Sequence, residues 1–194
     1  QVGSVDLSTW AGTDGSAEAG RIVRAPGGDT LFVAVQELKQ DEGWVSDGGT
    51  ILEVACSDGT VVREMEVGPS PTISPGSSTQ LLNYKTGLYG VLDGELGTID
   101  LETSQQTVHV TEAEIGADIG GHAMVGEQLV YATSDQDWIF EIHCVDLSTG
   151  SKASTGPISN YVSGLTADDQ GRVWVSLRHG WAESGVNAVG VDVL

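Results

Sequence analysis

The chain has 194 residues with 28 acidic and 8 basic side chains, a formal net charge of −20 and a hydrophobic share of 39%. This length and apolar content suffice for a folded core, whereas no apolar run reaches the roughly eighteen residues that a membrane span needs. The negative charge argues against nucleic acid and anionic membrane surfaces as partners.

A strand that ends in an acidic turn recurs along the chain. Full or shortened copies lie at residues 4–9 (SVDLST), 98–103 (TIDLET), 144–149 (CVDLST) and 190–193 (GVDV). Their aspartates are at positions 6, 100, 146 and 192, so the last two intervals are 46 residues and the first, 94, is close to twice that. Residues 52–59 have the same strand-then-turn pattern where the missing copy is expected. The sequence therefore predicts four repeats of about 46 residues.

Further short strands are predicted within each repeat. Weaker first strands are indicated at residues 21–24, 80–84, 122–125 and 161–165. Second strands follow at 30–35, 87–92, 128–133 and 171–177, and fourth strands are clearest at 61–67 and 107–110. No segment has the periodicity of an amphipathic helix.

Four short antiparallel strands per repeat are typical of an all-β protein of the β-propeller class, because one such sheet cannot bury both of its faces alone. The expected four-stranded blades cover residues 20–70, 71–116 and 117–157, with an incomplete blade at 158–194. Residues 1–19 would end a preceding or closing blade. The repeats could form a closed four-bladed ring or part of a larger propeller, and a β-sandwich or solenoid is the remaining alternative. The start at Gln1 without methionine suggests a processed product or a fragment.

The most specific pattern lies at residues 164–177, which indicate a strand, a tight acidic turn and a second strand. Its central part, DQGRVW from Asp169 to Trp174, resembles the turn-plus-tryptophan pattern of bacterial propellers related to the streptogramin-lyase, NHL-repeat and periplasmic sensor-kinase families. The resemblance implies a propeller fold and an extracellular or periplasmic location. Some propellers of this kind are lyases or lactonases that use a histidine or a metal-bound water near the central channel.

The loops between second and third strands are the strongest candidates for a ligand site, since in a propeller they open on one face. The first was expected to be a long insertion over residues 36–50. Three of the five tryptophans fall in these loops, each beside carboxylates. The candidate ligand-binding residues are Trp44, Asp47, Asp135, Asp137, Trp138, His179 and Trp181. Such a surface suits a sugar or a cationic ligand. The alternative is that each tryptophan only packs its own loop onto the sheet below.

Metal and catalytic sites have weaker support. Asp135 and Asp137, and likewise Asp168 and Asp169, supply oxygen atoms of the kind that calcium prefers, but neither pair has EF-hand spacing, and turn capping explains both. The four histidines form no zinc motif. No cofactor is predicted, and calcium is the one weak candidate. His122 is the one weak candidate for a general base, and a structural role is the commoner one for such a residue.

The innermost strands would place a small set of polar and aromatic residues nearest a central channel: Arg21, Arg24, Asn83, Tyr84, His122 and Tyr161. Three functional hypotheses follow. The leading one is an extracytoplasmic binding or scaffold module for a protein, carbohydrate or small-molecule ligand. The others are a propeller enzyme of the lyase or lactonase type, and a structural subunit or spacer whose acidic faces keep a larger assembly soluble. A second chain could complete the propeller. Cys56 and Cys144 are predicted to be unpaired thiols.

Overall fold

In the computed structural model, the described residues are 4–25, 27–39, 45–75, 80–85, 94–158, 160–178 and 186–191. They form fifteen strands in four antiparallel sheets, with one 3-10 helix and one four-residue α-helix. The all-β prediction is confirmed. The chain divides into two compact units, Gln1–Thr111 and Glu112–Leu194. No helix among the described residues is long and apolar enough to cross a membrane.

The first unit contains two four-stranded sheets, each a meander in which consecutive strands are neighbours. The first sheet consists of β1 (Glu18–Arg24), β2 (Thr30–Lys39), β3 (Val45–Ala55) and β4 (Val61–Val67). The second consists of β5 (Thr72–Pro75), β6 (Gln80–Lys85), β7 (Glu95–Asp100) and β8 (Gln106–Thr111). The sequence predicts one long loop at residues 36–50, but β2 and β3 extend far into this segment. The prediction of a long loop is therefore wrong. Cross-strand pairing continues as far as Lys39 and Val45.

The second sheet corrects one strand assignment. Residues 80–84 were predicted as a first, innermost strand, but β6 lies between β5 and β7 and is the second strand of its sheet. The first strand is the short β5, where Ile73 and Ser74 are buried. Its proline-rich surroundings obscured the alternation that identifies a strand. Asn83 and Tyr84 therefore do not lie on an innermost strand, and the predicted second strand at 87–92 falls outside the described residues.

Both faces of the first sheet are apolar. On one face, five buried side chains of the first sheet pack against Ile73 and Ile99 of the second sheet. The five are those of Val23, Phe32, Ala34, Ile51 and Met65. On the other face, Val33, Val35, Leu52 and Val54 are buried with partial cover from the N-terminal residues Leu7, Trp10 and Ala17. Alternate residues of β2 thus point into two separate cores, as expected for a strand buried on both faces.

The N-terminal segment differs from its predicted form. Residues 4–9 carry the repeat motif, yet they form no strand, and Ser8–Trp10 is a 3-10 helix. Asp6 Oδ1 accepts the backbone N–H of Ser8 at 2.9 Å, which turns the chain. The turn brings Leu7 and Trp10 onto the first sheet, and this apolar contact replaces strand pairing.

The second unit contains α1 (Glu112–Ile115) and two further sheets. The third sheet consists of β9 (Asp118–Val125), β10 (Gln128–Ser134), β11 (Phe140–Asp146) and β12 (Lys152–Ser154). The fourth has three strands among the described residues: β13 (Tyr161–Ala167), β14 (Val173–Arg178) and β15 (Val186–Val191). The two sheets approach closely, since a Cβ atom added at Gly121 would lie 3.2 Å from Leu165 Cδ1. Their shared core consists of Ala123, Val130, Ala132, Phe140, Ile142, Val162, Leu165, Val173 and Val175.

The repeated aspartates cap the turns between third and fourth strands. Asp100 Oδ1 accepts the backbone N–H groups of Glu102 and Thr103 at 2.9 and 2.8 Å. Asp146 Oδ1 accepts those of Ser148 and Thr149, both at 2.9 Å. The Ser148 hydroxyl also donates to Asp146 Oδ1, at 2.6 Å. This hydroxyl at Asp146 and the Thr103 backbone N–H at Asp100 contribute most to stabilising the ionised carboxylates, which lowers the pKa of both aspartates. The aspartate of the repeated motif therefore serves to cap the turn of a hairpin.

Candidate ligand-binding surface

The loop between β10 and β11 is held by one carboxylate. Asp135 Oδ1 accepts the backbone N–H groups of Asp137 and Ile139, both at 2.9 Å. The backbone of Asp135 also donates to the Ile139 carbonyl at 3.1 Å and accepts from the Trp138 N–H at 3.1 Å. The loop consequently has a fixed shape, and Asp135, which was predicted to contact a ligand, lies in it as a turn cap.

Trp138 lies in this loop with an unusual backbone. Its φ is +60°, in the left-handed region that bulky L-residues rarely adopt. Such a conformation costs of order 1–2 kcal/mol and persists where the surrounding bonds enforce it. The Trp138 side chain is nevertheless 50% exposed. The loop thus presents a large aromatic side chain to solvent at a cost in stability.

The Trp138 ring adjoins an aromatic side chain of the next sheet. The ring centroids of Trp138 and Tyr161 are 6.4 Å apart, with planes inclined by 30°. Tyr161 in turn meets the buried Phe140 edge-on, at 4.8 Å and 61°. Ile139 and Tyr161 are 44% and 38% exposed. Trp138, Ile139 and Tyr161 together form what we call the aromatic surface.

The predicted site residues are only partly brought together by the described structure. Asp137 is exposed and directly precedes Trp138. Asp47 lies in β3. Trp44, His179 and Trp181 fall outside the described residues. Sequence reasoning placed Tyr161 near a channel and did not connect it with Trp138, because their contact joins two sheets and leaves no local pattern.

His122 lies on β9, directly opposite Tyr131 of β10, which in turn pairs with His143 of β11. Its side chain is buried, with 5% exposure. The Tyr131 and His143 rings stack at 5.1 Å and 16°. Burial lowers the pKa of His143, whose Nε2 is 3.0 Å from Thr133 Oγ1. This packed row favours a structural role for His122, and its catalytic role stays a prediction.

The turn with the most specific sequence pattern is stabilised internally. Asp168 Oδ1 accepts the backbone N–H groups of Gln170 and Arg172 at 3.0 and 2.9 Å. Asp168 Oδ2 accepts Arg172 Nε at 2.7 Å and the indole N–H of Trp174 at 2.8 Å. The Arg172 guanidinium also lies 5.2 Å from the Trp174 ring centroid. These donors lower the pKa of Asp168 well below its usual range, so its carboxylate is committed to the turn.

Metal-ligating groups are not clustered in the part of the chain that the structure describes. There, no group of three or more His, Cys, Asp or Glu side chains is arranged to hold a metal ion. Cys56 and Cys144 are free thiols, the first exposed and the second half-buried. Burial and the nearby Asp146 carboxylate raise the pKa of Cys144.

Comparison with known proteins identifies the fold. No family model and no curated protein matches the chain. Among solved structures it is similar to TolB from Acinetobacter baumannii, at 16% identity and a TM-score of 0.60 over 91% of this chain. It is also similar to Pyrococcus horikoshii acylaminoacyl peptidase, at 10% identity and a TM-score of 0.63 over 91% of this chain. A third neighbour is the β-propeller domain of the Pyrococcus furiosus Trilobed protease, at 11% identity and a TM-score of 0.55 over 90% of this chain. The chain has a β-propeller fold.

The likeness covers only part of each neighbour, namely 41%, 31% and 53% of those three chains in the same order. At these identities it establishes the fold alone. The resemblance to bacterial propellers inferred from the sequence is confirmed at that level. The limits of individual blades and the closure of a ring stay predictions.

Proposed function

We propose that this propeller is an extracytoplasmic binding or scaffold module and that the aromatic surface holds its ligand. The observation that carries the proposal is Trp138, which is half exposed on a loop whose backbone is fixed in a left-handed conformation. Unusual backbone conformations that the surroundings enforce concentrate at functional sites. A rigid sheet scaffold that presents loop residues is also a common arrangement for binding.

The alternative, that Trp138 serves only to pack its own loop, accounts poorly for the exposure. A packing tryptophan is covered by its neighbours, whereas Trp138 and Tyr161 are both exposed and adjoin each other, and Ile139, next to Trp138 in the chain, is exposed as well. Contiguous exposed apolar side chains mark interaction sites more often than isolated ones do. Aromatic side chains also carry a large share of binding energy in known interfaces.

The remaining predicted residues enter the proposal by their place in the chain. β14 ends at Arg178, whose Cα pairs with that of Tyr161. His179 is the next residue in the chain, and Trp181 is three residues after Arg178. We include them and Asp137 in the proposed site. Trp44 and Asp47 belong to the other unit, and their role in binding stays a prediction.

A binding screen tests the proposal. The purified chain is presented to a glycan array and to a random-peptide display library, and every binder is retested on the Trp138→Ala and Tyr161→Ala variants. We expect at least one binder whose affinity depends on both side chains. Trp174→Phe is the matched control, because Trp174 is 36% exposed but lies outside the aromatic surface. If every binder is retained by both the Trp138→Ala and the Tyr161→Ala variants, the proposed site is wrong.

A further inference from the structure

Resting on the proposed function, we infer that the aromatic surface binds a neutral carbohydrate, with the flat faces of sugar rings against Trp138 and Tyr161. Three classes of ligand suit an aromatic surface, namely a sugar, a compact cation and a peptide, and we select the sugar. This choice depends on the relative orientation of the two rings, on the use of the nearby carboxylate and on the charge of the surrounding unit.

Ring orientation favours a flat ligand. The Trp138 and Tyr161 planes differ by only 30° and their centroids are 6.4 Å apart, and in the proposed site these two nearly parallel rings serve as one platform. A compact cation is held best by rings that converge on it from several directions, each directing its face at the charge. A platform instead offers continuous van der Waals contact to the apolar C–H face of a pyranose.

The platform is fixed before any ligand arrives. The rings of Tyr161 and the buried Phe140 pack edge-to-face with centroids 4.8 Å apart, while Asp135 fixes the loop that carries Trp138. Fixed side chains lose little conformational entropy on binding, which matters most for weak stacking contacts.

One of the two carboxylates near Trp138, that of Asp135, is already used by its own loop. Oδ1 of Asp135 already accepts two backbone N–H groups of its own loop. The exposed polar side chains just before Trp138 are those of Gln136 and Asp137, and Asn160 directly precedes Tyr161. Amide and carboxylate groups at the rim of an aromatic platform are suited to hydrogen bonds with sugar hydroxyls.

Charge selects among carbohydrates. Residues 112–194 contain twelve Asp and Glu against three Lys and Arg. Such an excess repels sulfated and uronic-acid polymers at long range. Neutral hexose or pentose chains are not affected, so the inference is specific to neutral sugars.

The experiment uses the full chain and calorimetric titration with defined probes: neutral gluco-, manno-, xylo- and chito-oligosaccharides, a sulfated oligosaccharide, choline, and peptides from the display library. We expect a neutral oligosaccharide to bind and to shift the indole fluorescence. Trp138→Ala and Tyr161→Ala should each weaken it at least about tenfold. Tyr161→Phe, which keeps the ring, and Trp174→Phe should stay within about twofold of the wild type.

The outcomes separate this inference from the proposed function. If no neutral oligosaccharide binds but a peptide or choline does so in a Trp138-dependent way, the surface is a binding site and the sugar inference is wrong. If no ligand of any class depends on Trp138, both are wrong. Trp138→Asn repeats the test with a residue that tolerates the left-handed conformation, in case Trp138→Ala perturbs the loop.

Discussion

The left-handed backbone of Trp138 predicts an inverted order of stability for two substitutions. At an ordinary position glycine is less stable than alanine by about 0.5–1 kcal/mol, because glycine loses more chain entropy on folding. At φ +60° an alanine Cβ meets the following carbonyl oxygen at a cost of about 1–2 kcal/mol, and glycine avoids it. We therefore expect the free energy of unfolding of Trp138→Gly to exceed that of Trp138→Ala by about 1 kcal/mol.

The comparison isolates the backbone. Both variants lose the contact with Tyr161, which is worth about 0.5–1.5 kcal/mol for an aromatic pair. Both also retain the same other tryptophans, so their fluorescence transitions in urea are directly comparable. With a urea slope of about 1–3 kcal/mol/M, the expected difference is a shift of roughly 0.3–1 M in the unfolding midpoint.

Gln136 supplies the control, because it is exposed in the same loop and is not among the residues with positive φ. There, Gln136→Gly should be less stable than Gln136→Ala, the usual order. If Trp138 shows the same order as Gln136, its backbone is not left-handed. In that case the loop does not sacrifice stability to present the indole ring.

Three further predictions use the same unfolding assay. The folded pKa of Asp168 is lowered below the unfolded value of about 3.9, so Asp168→Asn should lower the urea midpoint by its full amount above about pH 5. The difference from wild type should shrink as the pH falls below about 4. A difference that does not change with pH would contradict this. Trp10→Ala should cost about 1–3 kcal/mol by uncovering the first sheet, whereas the exposed Ser8→Ala should cost less than about 0.5. Because burial lowers the pKa of His143, wild type should lose stability as the pH falls below about 6.5, and His143→Gln should lack that part of the loss.

Local chemistry explains what the sequence predicts well. Strand alternation and turn residues act over a few positions, so most strands and the repeating hairpins could be located without knowledge of their partners. Asp100 and Asp146 each accept the backbone N–H groups of the residues two and three positions later in the chain. This shared turn is the reason that the repeat is recognisable in the sequence. The interpretation of the acidic turn at Asp168 as a hairpin cap also agrees with its contacts.

Predictions failed where distant contacts outweigh local pattern. Residues 4–9 have the same motif as residues 144–149, yet only the second copy belongs to a strand. The first copy instead places Leu7 and Trp10 on an apolar sheet face, a contact that its own sequence does not encode. The pairing of Trp138 with Tyr161 depends likewise on how two sheets pack. Such contacts follow from the assembled fold and not from any window of the chain.

Two exposed tryptophans in the second unit show how one type of turn leads to two uses. At the later turn, Asp168 binds the indole N–H of Trp174, so that the carboxylate holds the side chain itself. At the earlier turn, Asp135 binds backbone N–H groups around Trp138, so that the carboxylate holds the loop and the ring lies against Tyr161. Acid that protonates Asp168 should therefore alter the Trp174 environment through the lost indole contact. A ligand on the aromatic surface should instead alter Trp138, and the two responses should be separable by comparing Trp138→Phe with Trp174→Phe.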